Sequence, residues 1–363
     1  MDNKNCIIIA AGGTGGHVFP SIGLANYLNK DYYVEIFTDE RGIKYFDNYN
    51  KIKTRKITSS RVFNKNIIYF ILGIIKVFLS IISSLKLLRK IKPKLIIGMG
   101  GYSSFPVCLS AYFLRIPIFI YENNLVIGRA NKILLPFAKK ILVSTKSIKG
   151  INKKYGHKIN NIGFLLRSNI LAIRNKNLEI GKHNLSILVI GGSQSAKVFG
   201  EQIPEVMKIC HKNSIKFNIF QQCLDSQKID IQNIYAKLNI KFELFSFCSD
   251  LSKYYQKTDI AITRCGASSM AELVNLRIPF IAIPLPSSID NHQLENAKYF
   301  NNQNYCFLLE QKFLLSKLFG ILQVAHQDRN KLNSFKQNMS KHSDNESLMK
   351  AKQIIEDYLN GKI

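Results

Sequence analysis

Short apolar runs alternate with longer stretches of helical periodicity along this chain of 363 residues. Residues 6–9, 33–38, 95–97, 116–121, 140–144 and 160–162 read as strands of a first half, and 185–190, 217–222, 242–245, 259–263 and 278–284 as strands of a second. Strands separated by helices predict successive βαβ units, hence largely parallel sheets with helices on both faces. Periodicity fades over 163–183, which reads as a linker. The expected divisions are a domain at 1–163, a second at 164–340, and a terminal helix at 341–363 that packs on either the first domain or the second.

Glycine turns sit where strands give way to helices. Gly12-Gly13-Thr14-Gly15-Gly16-His17 follows the first strand, Gly98-Met99-Gly100-Gly101-Tyr102-Ser103-Ser104 the strand at 95–97, and Gly191-Gly192-Ser193-Gln194-Ser195-Ala196 the first strand of the second half. Such a turn aims backbone N–H groups and a helix amino end at an anion, unless it is only a tight connection. A dinucleotide fingerprint needs a third glycine at position 18, where the chain has Val18; Asp39, after the second strand, keeps that reading partly open. Two halves that each open on a strand and a glycine turn imply two similar domains facing one another across a cleft.

Polar clusters mark the same edge. Glu122-Asn123-Asn124 ends a strand, with Asn131 nine residues beyond Glu122. After the strand at 259–263 come Arg264-Cys265-Gly266-Ala267-Ser268-Ser269 and a helix containing Glu272. There Glu272 can accept from a ribose diol and Ser268 can hold a phosphate, although a glutamate early in a helix also complements the dipole. Gln293 and Asn296 share one face of a later helix and can serve one ligand together.

The run 66–85 has Lys76 as its only charge. At about 1.5 Å per residue its nineteen residues from Ile67 to Leu85 approach a hydrocarbon thickness, but a mid-span lysine costs about 3 kcal/mol. Gly73, Lys76, Ser80, Ser83 and Ser84 gather on one side of the helix, and Ile67, Ile71, Ile74, Phe78, Ile81 and Leu85 line the other. This pattern suits a helix packed in the domain or lying at a membrane surface better than a span. Lys86, Arg89, Lys90, Lys92 and Lys94 follow, either as partners for anionic headgroups or as a solvated helix end.

Composition narrows the classes. A net charge of +27, from 51 Lys and Arg against 24 Asp and Glu, suits phosphorylated substrates, an anionic membrane or nucleic acid, and equally reflects a chain rich in Lys, Asn and Ile. No nucleic-acid module is recognisable, so no nucleic-acid partner is expected. Seven scattered cysteines without a CxxC pair argue against a metal cluster and a disulfide scaffold. The amino terminus carries no signal-peptide pattern, which favours the cytosol.

On the turns 12–17, Gly191-Gly192-Ser193-Gln194 and Arg264-Cys265-Gly266-Ala267, the segment 290–297, and Glu272 eight residues beyond Arg264, the sequence resembles the MurG family of peptidoglycan N-acetylglucosaminyltransferases. The resemblance implies an α/β fold of GT-B type, with two Rossmann-like domains whose parallel sheets face across a cleft. It implies inverting transfer of N-acetylglucosamine from UDP-N-acetylglucosamine to lipid I, giving lipid II, with no cofactor and no metal. The first domain is then expected to bind the undecaprenyl-diphosphate acceptor through Thr14, Gly15, Gly16, Gly101, Tyr102, Ser103, Asn124 and Asn131. The second is expected to bind the donor: Arg167 and Ser193 near its phosphates, Gln194 and Ser268 also on the donor, the backbone at Cys248 on the uracil, Glu272 on the ribose, and Gln293 with Asn296 on the sugar. Ile67, Ile71, Ile74, Phe78, Lys86 and Arg89 match a membrane patch, which implies a peripheral enzyme on the cytoplasmic face of the inner membrane, with an anionic membrane surface and other cell-wall enzymes as partners.

His17, in the first turn and ordinarily titrating near neutrality, is the expected general base, with Glu122 as its rival. The chain departs from the family where Tyr121 replaces the histidine of a His-Glu-Gln-Asn motif, where Gly163-Phe164-Leu165-Leu166-Arg167 replaces Gly-Asn-Pro-Val-Arg, and at Ser195. A tyrosine of ordinary pKa about 10 is a poor base at neutral pH. The alternatives are another GT-B transferase with a different sugar or lipid acceptor, and a catalytically weak membrane scaffold for cell-wall enzymes.

Overall fold

The computed structural model describes residues 5–13, 15–46, 49, 52–58, 67–174, 184–192, 196–248 and 250–362. The chain divides into two compact units, Met1–Ser168 with Asp344–Ile363, and Asn169–Ser343. The division falls at 168 rather than 163, and the chain returns to the first unit at 344.

Unit 1 holds β1 (Cys6–Ala10), β2 (Tyr33–Thr38), β3 (Lys53–Lys56), β4 (Leu95–Gly98), β5 (Ile118–Glu122), β6 (Lys140–Val143) and β7 (Ile159–Asn161), with α1 (Gly15–Leu28), α2 (Glu40–Ile43), α3 (Ile67–Ile91), α4 (Ser104–Phe113) and α5 (Arg129–Leu134). All seven strands run parallel in the order β3-β2-β1-β4-β5-β6-β7. The order reverses between β1 and β4, whose ends pair as Ala10 with Gly98. The turns that follow these two strands therefore lie side by side at the carboxyl edge, where open α/β sheets place their ligands.

Alternate residues of the strands reach opposite faces. Ile8, Ile96, Ile120 and Ile141 share a buried cluster with Leu88 of α3, Val107 of α4 and Leu134 of α5. The sequence gives no strand signal at β3, because its Lys-Thr-Arg-Lys is a polar edge strand. Arg55 instead reaches back to the buried Glu35 on β2, 2.6 Å away.

The α3 helix turns its small residues inward. Gly73, Ser80, Ser84 and Leu88 are buried, whereas Ile71, Ile74 and Phe78 are exposed, Phe78 to 62%. Ile81 and Leu85 are half-buried, and Lys76 is exposed and so leaves the small-residue side on which the sequence put it. Packing of the apolar stripe into the core is thereby overturned. The hydroxyl of Ser80 donates to the Thr58 carbonyl, and Ser110 of α4 lies 3.0 Å from the Ile81 carbonyl. Short side chains let the two helix backbones approach, and the hydroxyls of Ser80 and Ser110 find carbonyl acceptors. Among the described residues α3 supplies the one helix, Ile71–Ile91, long and apolar enough to cross a membrane.

Unit 2 holds β8 (Leu185–Ile190), β9 (Phe217–Gln222), β10 (Phe242–Phe245), β11 (Ile260–Thr263), β12 (Phe280–Ala282) and β13 (Cys306–Leu308). These strands are parallel in the order β10-β9-β8-β11-β12-β13, which repeats the reversal of unit 1 between β8 and β11. Its helices are α6 (Ser168–Ile173), α7 (Ala196–Lys212), α8 (Lys228–Lys237), α9 (Ser252–Tyr255), α10 (Ala267–Asn275), α11 (His292–Asn302), α12 (Leu314–Gln327) and α13 (Arg329–Ser340). Leu185, Ile187 and Val189 pack with Phe199, Ile203 and Val206 of α7 and with Leu318 and Leu322 of α12.

The last helix, α14 (Ser347–Leu359), belongs to unit 1. Lys352 bonds Asp31 at 2.6 Å, and Tyr358 meets Phe119 edge to face.

Candidate functional site

In unit 1 the two glycine turns fit around one another. A β-carbon on Gly12 would stand 2.2 Å from the Ser103 hydroxyl, and one on Gly100 would stand 3.0 Å from Cε1 of the His17 imidazole. Gly100 also has a φ of +87°, so both backbone conformation and space require glycine there. The His17 ring thus packs against the second turn. Ser103 is buried, and its hydroxyl has no hydrogen-bond partner among the described residues. Gly15 and Gly16, before His17, and Gly101 and Tyr102, before Ser103, are half-buried, and Gly16 accepts from Asn123 Nδ2 at 2.7 Å. Thr14 lies outside the described residues.

Asp39 has a different task from the ribose contact that a dinucleotide site would give it. Its Oδ1 accepts from the N–H groups of Gly13 and Gly42, each at 2.9 Å, and its Oδ2 pairs with Arg41 at 2.7 Å. Burial alone would raise its carboxyl, but the Gly13, Arg41 and Gly42 donors outweigh burial and hold it below the ordinary carboxylate value. The residue pins the first glycine turn.

Glu122 is saturated. Its Oε1 accepts from the backbone and the side chain of Asn124, at 3.0 and 3.1 Å, and its Oε2 accepts from Gly128 N at 2.8 Å and Asn131 Nδ2 at 3.0 Å. Asn131 also donates to the Tyr121 carbonyl at 2.9 Å. The carboxylate, 1% exposed, organises the loop from 122 to 131.

Tyr121 is buried, and burial pushes its phenol far above the ordinary value. Its hydroxyl accepts from Leu165 N at 3.1 Å and lies 3.4 Å from the Gly163 carbonyl. Asp344 accepts from Phe164 N at 3.0 Å. Tyr121 and the segment 163–166 are therefore bonded to one another. Arg167 follows them in unit 1, buried, its guanidinium 4.1 Å from the ring centre of Phe19 on α1.

In unit 2 Glu272 is buried on α10 and accepts from Tyr255 Oη at 2.9 Å. Ser268, also buried, lies in the first turn of the same helix. Gln293 Oε1 accepts from Cys265 N at 3.2 Å and Leu285 N at 3.0 Å, and Asn296 Nδ2 donates to the Cys265 carbonyl at 3.0 Å. Both amides thus hold the turn that opens α10, a role their spacing did not reveal. Two residues of left-handed backbone, Asp290 and Asn291, precede that pair. Arg264 is buried over Phe199 and bonds Gln311 at 2.6 Å; burial lowers it to about 10.

Gly192 N donates to Gln222 Oε1 at 3.0 Å, while Gln222 Nε2 donates to the Ser246 carbonyl at 3.1 Å. The Cys248 thiol, half-buried, lies 2.9 Å from the Asp250 carbonyl. Ser193, Gln194 and Ser195 lie outside the described residues. Sequence reasoning passed over Gln222, Asp250 and Tyr255; the strand end at Gln222 was the available signal for the first.

Lys86 and Arg89 are exposed beyond the apolar face of α3. The Ile67 side chain lies outside the described residues. Unit 1 carries 30 Lys and Arg against 11 Asp and Glu, and unit 2 carries 21 against 13, so most of the positive charge belongs to the unit that exposes α3. Among the described residues no group of three His, Cys, Asp or Glu side chains is placed to hold a metal ion.

Two family models match the chain: the glycosyltransferase family 28 N-terminal domain over residues 7–143 and its C-terminal domain over 186–358. A UDP-N-acetylglucosamine--N-acetylmuramyl-(pentapeptide) pyrophosphoryl-undecaprenol N-acetylglucosamine transferase of Pelagibacter ubique is 37% identical over 87% of this chain and 89% of its own length. The Francisella tularensis protein of that name is 34% identical over 98% of this chain and 99% of its own. In fold the chain is similar to the crystal structure of Acinetobacter baumannii MurG, with a TM-score of 0.75 at 23% identity, covering 98% of this chain and 99% of that one. The chain belongs to glycosyltransferase family 28, among its UDP-N-acetylglucosamine–N-acetylmuramyl-(pentapeptide) pyrophosphoryl-undecaprenol N-acetylglucosamine transferases.

Proposed function

We propose that the protein transfers N-acetylglucosamine from UDP-N-acetylglucosamine to the C4 hydroxyl of the N-acetylmuramic acid of lipid I, with inversion, releasing UDP and lipid II. The observation that carries this reading is the identity of 37% with a relative of that name over nearly nine-tenths of its length. Proton removal from the acceptor hydroxyl is assigned to His17. Its imidazole ordinarily titrates near neutrality, and it packs against a glycine turn at the edge of the sheet where ligands bind. His17 is preferred to its rival Glu122, both of whose oxygens already accept from protein donors.

Acceptor diphosphate is read as held by unit 1, through the turns at Gly15, Gly16, Gly101, Tyr102 and the buried Ser103 hydroxyl, with Asn124 and Asn131 behind them. Donor is read as held by unit 2. There Glu272 takes the ribose, the backbone at Cys248 the uracil, and the amino end of α7, with Ser268, the diphosphate. As the glycosidic bond breaks, negative charge grows on the departing UDP, and oriented helix N–H groups stabilise it. Gln293 and Asn296 shape the sugar's surroundings through the Cys265 turn.

The enzyme is read as peripheral on the cytoplasmic face of the inner membrane. The exposed Ile71, Ile74 and Phe78, and the Lys86 and Arg89 beyond them, support this, since apolar burial and headgroup attraction add.

The test is transfer of labelled N-acetylglucosamine from its UDP donor to a lipid I analogue. Product is expected from wild type and should be lost from Glu272→Ala and His17→Ala. A folded wild type that binds UDP-N-acetylglucosamine and makes no product would overturn the reading.

A further inference from the structure

The one-turn helix α9 joins two places in unit 2. At its start Asp250 Oδ1 accepts from Ser252 N at 2.9 Å and from Asn169 Nδ2 at 2.8 Å. The carbonyl of Asp250 meets the Cys248 thiol at 2.9 Å, so this aspartate braces the loop whose backbone is read as the uracil contact. At the end of α9 Tyr255, fully buried, directs its hydroxyl to Glu272 Oε2 at 2.9 Å. Loop and carboxylate thus share one rigid connection.

We infer that Tyr255 is a positioning residue for Glu272, fixing the carboxylate in the rotamer that receives the ribose hydroxyls. A glutamate side chain has three rotatable bonds, and ordering it at the moment of binding costs free energy that a prior hydrogen bond removes. A phenol O–H donating to a carboxylate oxygen is also among the stronger hydrogen bonds. Because the Tyr255 ring is enclosed, the hydroxyl cannot swing away to water. The nucleoside is therefore read by a carboxylate set beforehand, and α9 keeps its distance from the uracil loop constant.

The inference rests on the reading of Glu272 as the ribose acceptor, and one experiment separates the two. Titration calorimetry measures UDP and 2′,3′-dideoxy-UDP on wild type, Tyr255→Phe, Glu272→Gln and the double variant. The quantity read is the ratio of the two affinities, which reports the ribose hydroxyls alone. A variant that only loosens the fold weakens both ligands together and leaves that ratio unchanged.

Tyr255→Phe should narrow the ratio about ten-fold, as expected for losing a hydrogen bond to a charged group. Glu272→Gln should narrow it at least as far, and the double variant should match Glu272→Gln rather than add to it. A Tyr255→Phe ratio equal to wild type, with Glu272→Gln narrowed, overturns the positioning role and leaves the ribose reading standing. An unchanged ratio in Glu272→Gln overturns both. If Tyr255→Phe does not fold, Glu272→Asp withdraws the carboxylate from the phenol by one methylene; the inference requires a narrowed ratio there, and an unchanged one overturns it.

Discussion

The imidazole of His17 occupies the space that a side chain at Gly100 would need, with Cε1 3.0 Å from where that β-carbon would stand. Replacing Gly100 with alanine therefore imposes a left-handed backbone on a substituted residue and pushes the ring from its place. The expected loss is about 1 kcal/mol of stability or more, together with a fall in transfer rate of at least ten-fold, if a proton is to move through a displaced ring. Thermal unfolding and initial rates on one preparation check both. His17→Ala should cost about 100-fold in turnover at saturating acceptor while folding normally; an unchanged rate would remove His17 from the mechanism.

For Asp39 the sign of the pH dependence follows from its lowered carboxyl. A depressed native value means the contribution to stability is present at neutral pH and disappears as pH falls through that value, below about 4. Asp39→Asn should therefore unfold at a lower temperature than wild type at pH 7, and the gap should close as the pH falls below about 4. A gap that stays constant down to pH 3 would show that charge is not what holds Gly13.

Tyr121 is expected to hold structure rather than to carry a proton. Tyr121→Phe strands the buried Leu165 N–H, at a cost of about 1–3 kcal/mol, but takes no proton carrier from the reaction. The expected result is a lower unfolding midpoint with the pH–rate profile unmoved. A shifted profile would restore position 121 to the chemistry.

The outer face of α3 is testable without substrate. Ile74→Ser with Phe78→Ser should reduce co-sedimentation with anionic vesicles by ten-fold or more, since each buried apolar side chain contributes roughly 1.5–3 kcal/mol. Neutralising Lys86 and Arg89 should act in the same direction and add a loss of salt sensitivity. UDP binding should be unaffected. Undiminished sedimentation in both variants would place the contact elsewhere.

How far the sequence reaches is clearest on α3. Periodicity divided its residues into two faces, but it does not say which face goes inward. Burying Ser80 and Ser84 is tolerable only because the Thr58 carbonyl accepts from Ser80 and because small side chains admit the neighbouring helix, facts that belong to the packing. The alternation of strands and helices was legible because parallel strands are buried on both faces and bounded by glycine turns. The edge strand β3, polar and four residues long, carried no such mark. At the candidate site, residue types and order pointed to Glu122, Gln293 and Asn296, but that their polar atoms brace loops depends on backbone partners brought from elsewhere, such as Cys265 N and Gly128 N.

Because α14 completes unit 1 after the whole of unit 2 has intervened, the order of synthesis and the order of assembly differ. A ribosome that has just added residue 343 has supplied all of Asn169–Ser343, while the partners of Asp31, Phe119 and Phe164 are still to be made. Unit 2 can mature on the growing chain, as domains generally do; unit 1 waits for the segment from Asp344 onward. A chain truncated near 343 therefore forfeits part of the first unit rather than the second.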